Sequence, residues 1–195
     1  MLEQRIQQQF FDSADLKYAA AEHLTRPVAD ASHALIGAIT SGAKVLVCGN
    51  GAGAGIAQHL AAQLVGRFER ERPGLAALCL AADATMLTAL GRDDGFEQLF
   101  AKQVLALGHP GDVLVVLSED GQQPNLLAAV EAAHDKEMSV IALTGRAGGA
   151  MASALHDTDM HICVPHDRPA RVHELHLLVV HCLCEAVDLQ LLGDH

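Results

Sequence analysis

Four glycines at every second position, Gly49, Gly51, Gly53 and Gly55, mark the first stretch able to do chemistry. They follow an apolar, β-branched run, Lys44 to Cys48, and precede Ile56, Leu60 and Leu64, which recur at helical spacing. Strand, glycine loop and helix together favour an anion. The glycines let backbone N–H groups approach a ligand, and the helix start carries partial positive charge. No Gly-Lys-Ser/Thr closes the loop, so it is not a P-loop, and its alternating glycines do not read G-x-G-x-x-G. A second loop of this kind, Ser118 to Pro124, follows the apolar run Val113 to Leu117. The five cysteines (48, 79, 163, 182 and 184) lie inside apolar runs and read as reduced, buried thiols of a cytoplasmic protein. Cys182 and Cys184 have no partner pair for a zinc knuckle.

These loops need a scaffold. At 195 residues the chain suits a single domain, a helical arm (1–42) followed by a core (43–195). Apolar strands are expected at 44–48, 75–80, 113–117, 138–143 and 160–164, alternating with helices. That alternation predicts an α/β fold of three αβα layers, doubly wound and parallel. Ligands then sit beyond the carboxyl ends of the strands, at the loops after the first and third. Two helices precede the first strand, divided at Arg26-Pro27. They either pack on a neighbouring subunit or cover one face of the sheet. Asp83 is the expected N-cap of a helix to Leu90. A net charge of −11 argues against direct nucleic-acid binding. With no run of about 18 apolar residues, no membrane span is expected, and the N-terminus lacks a signal peptide's apolar stretch.

Six segments together resemble the SIS (sugar isomerase) domain: CGNG at 48–51, AQHLAAQL at 57–64, RFERERPGL at 67–75, GDVLVVLS at 111–118, VIALTGRAGG at 140–149, and Arg171 to Cys184. The nearest branch holds the phosphoheptose isomerases and a non-isomerase paralogue that associates with the replication initiator DnaA. The resemblance covers nearly the whole chain. It implies a five-stranded parallel sheet of flavodoxin-like winding and a homotetramer with sites near subunit interfaces.

Carried over residue by residue, the resemblance implies a sugar-phosphate pocket with departures. Asn50, Gly51 and Ala52 match the first loop, where the family's next hydroxyl is lost. Arg92 and Asp93 match the turn after the second strand; Arg92 either restores positive charge to the pocket or pairs with Asp94. In the third-strand loop Ser118 and Gly121 match. Glu119 and Asp120 replace hydroxyl residues, and Gln122 and Gln123 complete the loop. A carboxylate a few ångströms from a phosphate costs on the order of 1–4 kcal/mol. A buried hydrogen bond left unmade adds roughly 1–3 kcal/mol. The other arrangement turns both carboxylates to solvent and leaves the backbone to bind the anion.

Isomerising an aldose to a ketose needs a base that moves a proton between adjacent carbons, and an acid. The family's first-loop helix supplies a His and, four residues on, a Glu. Here these are His59 and Gln63, and an amide accepts no proton at neutral pH. The family's last-helix His matches His181, the catalytic candidate. Zinc in some relatives is held at positions matching His59, Gln63, His173 and His181. Three imidazoles suit zinc, but a straight helix separates 173 from 181 by about 12 Å. Separate polar histidines lining a groove are the other reading.

With that carboxylate lost, the resemblance to the DnaA-associating paralogue implies a non-catalytic homotetramer that needs no cofactor, binds DnaA and promotes its assembly at the origin. Leu189, Leu191 and Leu192 either contact that partner or pack in the tetramer. The alternatives are a sedoheptulose 7-phosphate isomerase, with His173 or Glu174 as replacement base, and a sugar-phosphate sensor.

Overall fold

The computed structural model describes residues 1–194. Five parallel strands form one sheet in the order β2-β1-β3-β4-β5. They are β1 (Val45–Gly49), β2 (Ala77–Cys79), β3 (Val113–Leu117), β4 (Ser139–Gly145) and β5 (Met160–Val164). The helices are α1 (Leu2–Thr40), α2 (Ala52–Val65), α3 (Ala84–Asp93), α4 (Ala101–Leu107), α5 (Pro124–Asp135), α6 (Gly149–Ala154) and α7 (Pro169–Leu192). The strands β1, β3 and β4 are buried along almost their whole length because both faces are covered.

Alternation along each strand builds two cores. Val45, Val47, Val113, Val115, Ile141 and Leu143 face α1, α2 and α7. Leu46, Cys48, Leu114, Val116, Val140 and Ala142 face α4, α5 and α6. The winding reverses between β1 and β3, which pair in register from Val45↔Val113 to Gly49↔Leu117. The crevice for a ligand opens there.

The helical arm needs correction. The two leading helices are one, and Pro27 lies inside it. Its buried positions Leu16, Ala20, Leu24, Ala31, Leu35 and Ala38 stay in helical phase across the proline. Packing on the sheet and on α7 offsets the roughly 3 kcal/mol that an interior proline costs. From Leu16 onward α1 covers one sheet face, whereas nearly all of its first 11 residues are exposed.

Helix α7 is also long and apolar enough to cross a membrane, with a hydropathy of 1.6 over 18 residues. It packs instead on α1 and α2, burying Arg171, His176 and Asp188. Elsewhere the polar turn expected at 91–95 is partly taken up by α3, whose N-cap is Asp83: its Oδ1 accepts from the Met86 N–H at 3.0 Å.

Candidate functional site

Glycine makes the first loop possible. A Cβ on Gly49 would lie 2.7 Å from the Gly53 carbonyl carbon, and one on Gly53 would lie 3.1 Å from the Leu117 carbonyl oxygen. Their absence lets α2 start directly against β1 and β3. Gly51 turns with φ +52°. The first turn of α2 has no side-chain cap and no acidic residue, and α5 begins beside it at Pro124, also without a side-chain cap. The uncapped start of α2 therefore borders a cavity of about 260 Å³, closed on its other side by Gln123 and Leu126 at the start of α5.

Asn50, Gly51, Ala52, Ser118, Glu119, Gln123 and His173 line this cavity. Asn50 and Asn125 exchange reciprocal amide hydrogen bonds of 2.8 and 2.9 Å, clamping the first loop to α5. Sequence reasoning did not single out Asn125. Its only signal there was a polar residue beside a helix-starting proline. Ser118 Oγ donates to Gln123 and accepts from the Gly121 N–H at 2.7 Å. At Gly121, φ is +72° and a Cβ would collide with the Gly148 carbonyl at 1.9 Å.

The two carboxylates of this loop part company. Asp120 Oδ1 accepts from the Gln122 N–H and the Gln123 amide, and Arg146 stands 3.9 Å from Oδ2. It holds the loop together and does not line the cavity. Glu119 does line it, 3.8 Å from His173. The expectation of two carboxylates facing an anion is therefore corrected to one, beside an imidazole.

Arg92 and Asp93 lie elsewhere. They bind each other through bonds of 2.6 and 2.8 Å and are well exposed, and Asp94 pairs with Lys102. Glu174 is taken up by the Ser13 hydroxyl at 2.7 Å and by Arg171 at 2.8 Å, so its carboxylate is not free to replace the missing base.

The other half of the site lies between α2 and α7, which run side by side. His59 and His181, 122 residues apart, bring their Nε2 atoms to 3.0 Å, one donating and the other accepting. The Gln63 amide reaches His59 Nε2 at 3.5 Å, and the ring of Phe68 lies 5.6 Å from that of His181. Burial, and then the facing His181, lower the pKa of His59 below its usual 6.5. Neutral imidazole is a competent base, and its neighbour a competent acid.

His173 is not part of this pair. It stands at the cavity, about 12 Å up α7 from His181, so the three-imidazole zinc set expected from the sequence is not assembled within one chain. Two imidazoles and an amide fall short of the three good protein ligands and open position of a catalytic zinc. The pair is joined by a hydrogen bond along which a proton can pass.

The chain matches the SIS domain family over residues 9–145. It is 62% identical over 194 residues to a phosphoheptose isomerase of Methylibium petroleiphilum, covering 100% of this chain and 97% of that protein. A phosphoheptose isomerase of Bordetella avium is 47% identical, with 97% and 96% covered. Among solved structures, a phosphoheptose isomerase of Francisella tularensis superposes with a TM-score of 0.93 at 44% identity, covering 96% of this chain and 98% of that one. That of Neisseria gonorrhoeae gives 0.92 at 43%, covering 96% and 99%. These relatives overturn the expectation of a non-catalytic, DnaA-binding scaffold. At the groove itself, the carboxylate lost at position 63 leaves two facing imidazoles, His59 and His181.

Proposed function

Because the chain belongs to the SIS domain family, in its phosphoheptose isomerase branch, we propose that it interconverts sedoheptulose 7-phosphate and D-glycero-D-manno-heptose 7-phosphate. The observation that carries this reading is the His59–His181 contact of 3.0 Å. It lies one groove length from the anion cavity. From Ala52 to His59 along α2 is about 10 Å, and from His173 to His181 along α7 about 12 Å. A seven-carbon chain phosphorylated at one end has a comparable length. Its phosphate meets the first N–H groups of α2 beside Ser118 and Asn50, and its C1–C2 bond reaches the imidazoles.

The step is a proton transfer through an enediol. Neutral imidazole takes the C1 proton of the ketose while the paired N–H protonates the carbonyl oxygen. The reverse transfers at C2 and O1 give the aldose, with no net change in the enzyme. Purified protein should convert sedoheptulose 7-phosphate to the aldose, followed by NMR of the anomeric proton. A chain that binds the ketose but never turns it over defeats the proposal and leaves a sensor.

Self-association is part of the same reading. Phe10, Phe11 and Tyr18 on α1 are 72%, 53% and 80% exposed. An apolar groove lined by Ala20, Leu24, Val28, Leu175 and Leu178 runs between α1 and α7. A homotetramer buries this surface and brings neighbouring copies to the cleft. Phe10→Asp is then expected to give a smaller species by light scattering, where the unaltered chain is tetrameric; a monomeric unaltered chain refutes the assembly. Unpaired thiols throughout support a cytoplasmic setting.

A further inference from the structure

At the opposite end of the sheet from the cleft, three donors converge that the isomerase chemistry does not use. His134 ends α5, Asp159 directly precedes β5, and His156 lies in the connection from α6. Their ligating atoms all fall within 4.8 Å of one another, and among the described residues no other His, Cys, Asp and Glu group meets that spacing. His134 Nε2 lies 2.7 Å from Asp159 Oδ2. The two imidazole rings stack, with centroids 3.6 Å apart and planes 14° from parallel.

The carboxylate is built in rather than incidental. Its side chain is 1% exposed. Oδ1 accepts from the Val140 N–H at 2.9 Å and Oδ2 from the His156 N–H at 2.8 Å, so β4 and the loop both aim it at His134. A rigid carboxylate beside one half-enclosed and one exposed imidazole is a partly preformed donor set. His156 is the exposed member, and binding an ion turns its ring out of the stack on His134. The groove between α5 and α6, about 640 Å³, opens beside both rings and leaves room for water at a fourth position.

We propose that His134, His156 and Asp159 bind a divalent transition ion of the Zn²⁺ class, independently of the sugar-phosphate cleft. Two nitrogens and one carboxylate suit Zn²⁺, Co²⁺ or Ni²⁺ and not Mg²⁺ or Ca²⁺, which take oxygen ligands. Tetrahedral bonds of about 2.0–2.2 Å place donors a little over 3 Å apart, so the His134–Asp159 contact opens only slightly to admit the ion. Bound there, the ion ties the last turn of α5 to the entrance of β5.

Equilibrium dialysis of chelator-stripped full-length protein against Zn²⁺, with Co²⁺ as the spectroscopic probe, tests this. The unaltered chain should bind Zn²⁺ with a Kd of about 10 μM or tighter and give the visible absorption of tetrahedral Co²⁺. His156→Ala and His156→Asn, at an exposed position, should each lose one ion per chain and that absorption. His181→Gln, in the cleft, should keep both. An ion count unchanged by both His156 variants, or no Zn²⁺ bound at about 100 μM, overturns the site.

Discussion

Replacing His181 by glutamine is expected to lower kcat/KM for sedoheptulose 7-phosphate by about 10²–10⁴-fold, the usual worth of one acid–base partner. Glutamine fits a half-buried position and still hydrogen-bonds His59, but it carries no transferable proton. The fold should survive, so circular dichroism and melting temperature report a folded protein with a lost catalytic step. The pH profile supplies a second readout. Burial and the facing His181 both depress the pKa of His59. Its basic form therefore persists below the usual 6.5, and activity should fall on the acid side only below that pH. His181→Gln removes one of the two causes, so whatever activity remains should decline at a higher pH than in the unaltered enzyme. An unchanged kcat/KM in this variant would remove His181 from the mechanism.

The largest stability loss is expected at Arg72, whose side chain is 1% exposed. Its Nε donates to Asp188 Oδ1 at 2.6 Å, and its terminal nitrogens donate to the carbonyls of Gln63 and Leu64 at 2.8 and 2.9 Å. One guanidinium thus closes the carboxyl end of α2 and neutralises a carboxylate on α7. Asp188 is 5% exposed at its side chain, and its Oδ2 has no partner. Arg72→Met strands that charge. Breaking one side of a buried pair costs about 3–5 kcal/mol, or roughly 6–20 °C in Tm for a chain of this size. Adding Asp188→Leu should recover part of the loss, because removing both buried charges is often close to neutral. A Tm for Arg72→Met within a degree of the parent would show that α2 and α7 are held together by apolar packing alone.

Both predictions rest on contacts between α2 or the segment after it and α7, and the sequence disclosed them unequally. Arg72 lay inside a family-like segment, RFERERPGL, yet nothing in its spacing singled it out from Arg67 or Arg70. Those two reach Glu71 and the Gly193 carbonyl, at the surface. His59 and His181 were recognised separately, by resemblance. Reading Gln63 as a lost base treated position 63 in isolation. The missing fact was that a second imidazole stands within a hydrogen bond of His59.

Features carried by local chain physics were legible from the residues themselves. Continuous β-branched runs make doubly covered strands, so β3 and β5 fall where they were expected, and their alternation with helices requires a parallel sheet with its ligand crevice between β1 and β3. Alternating glycines let helix and strand backbones approach closely, as Gly49 and Gly53 do against each other and Leu117. Tertiary packing decided the rest. It carried α1 through Pro27, brought Arg146 to Asp120, and set His59 against His181. Those outcomes depend on groups far apart in the chain. Their energies are set by distance, burial and available partners, none of which a local pattern of residue types encodes.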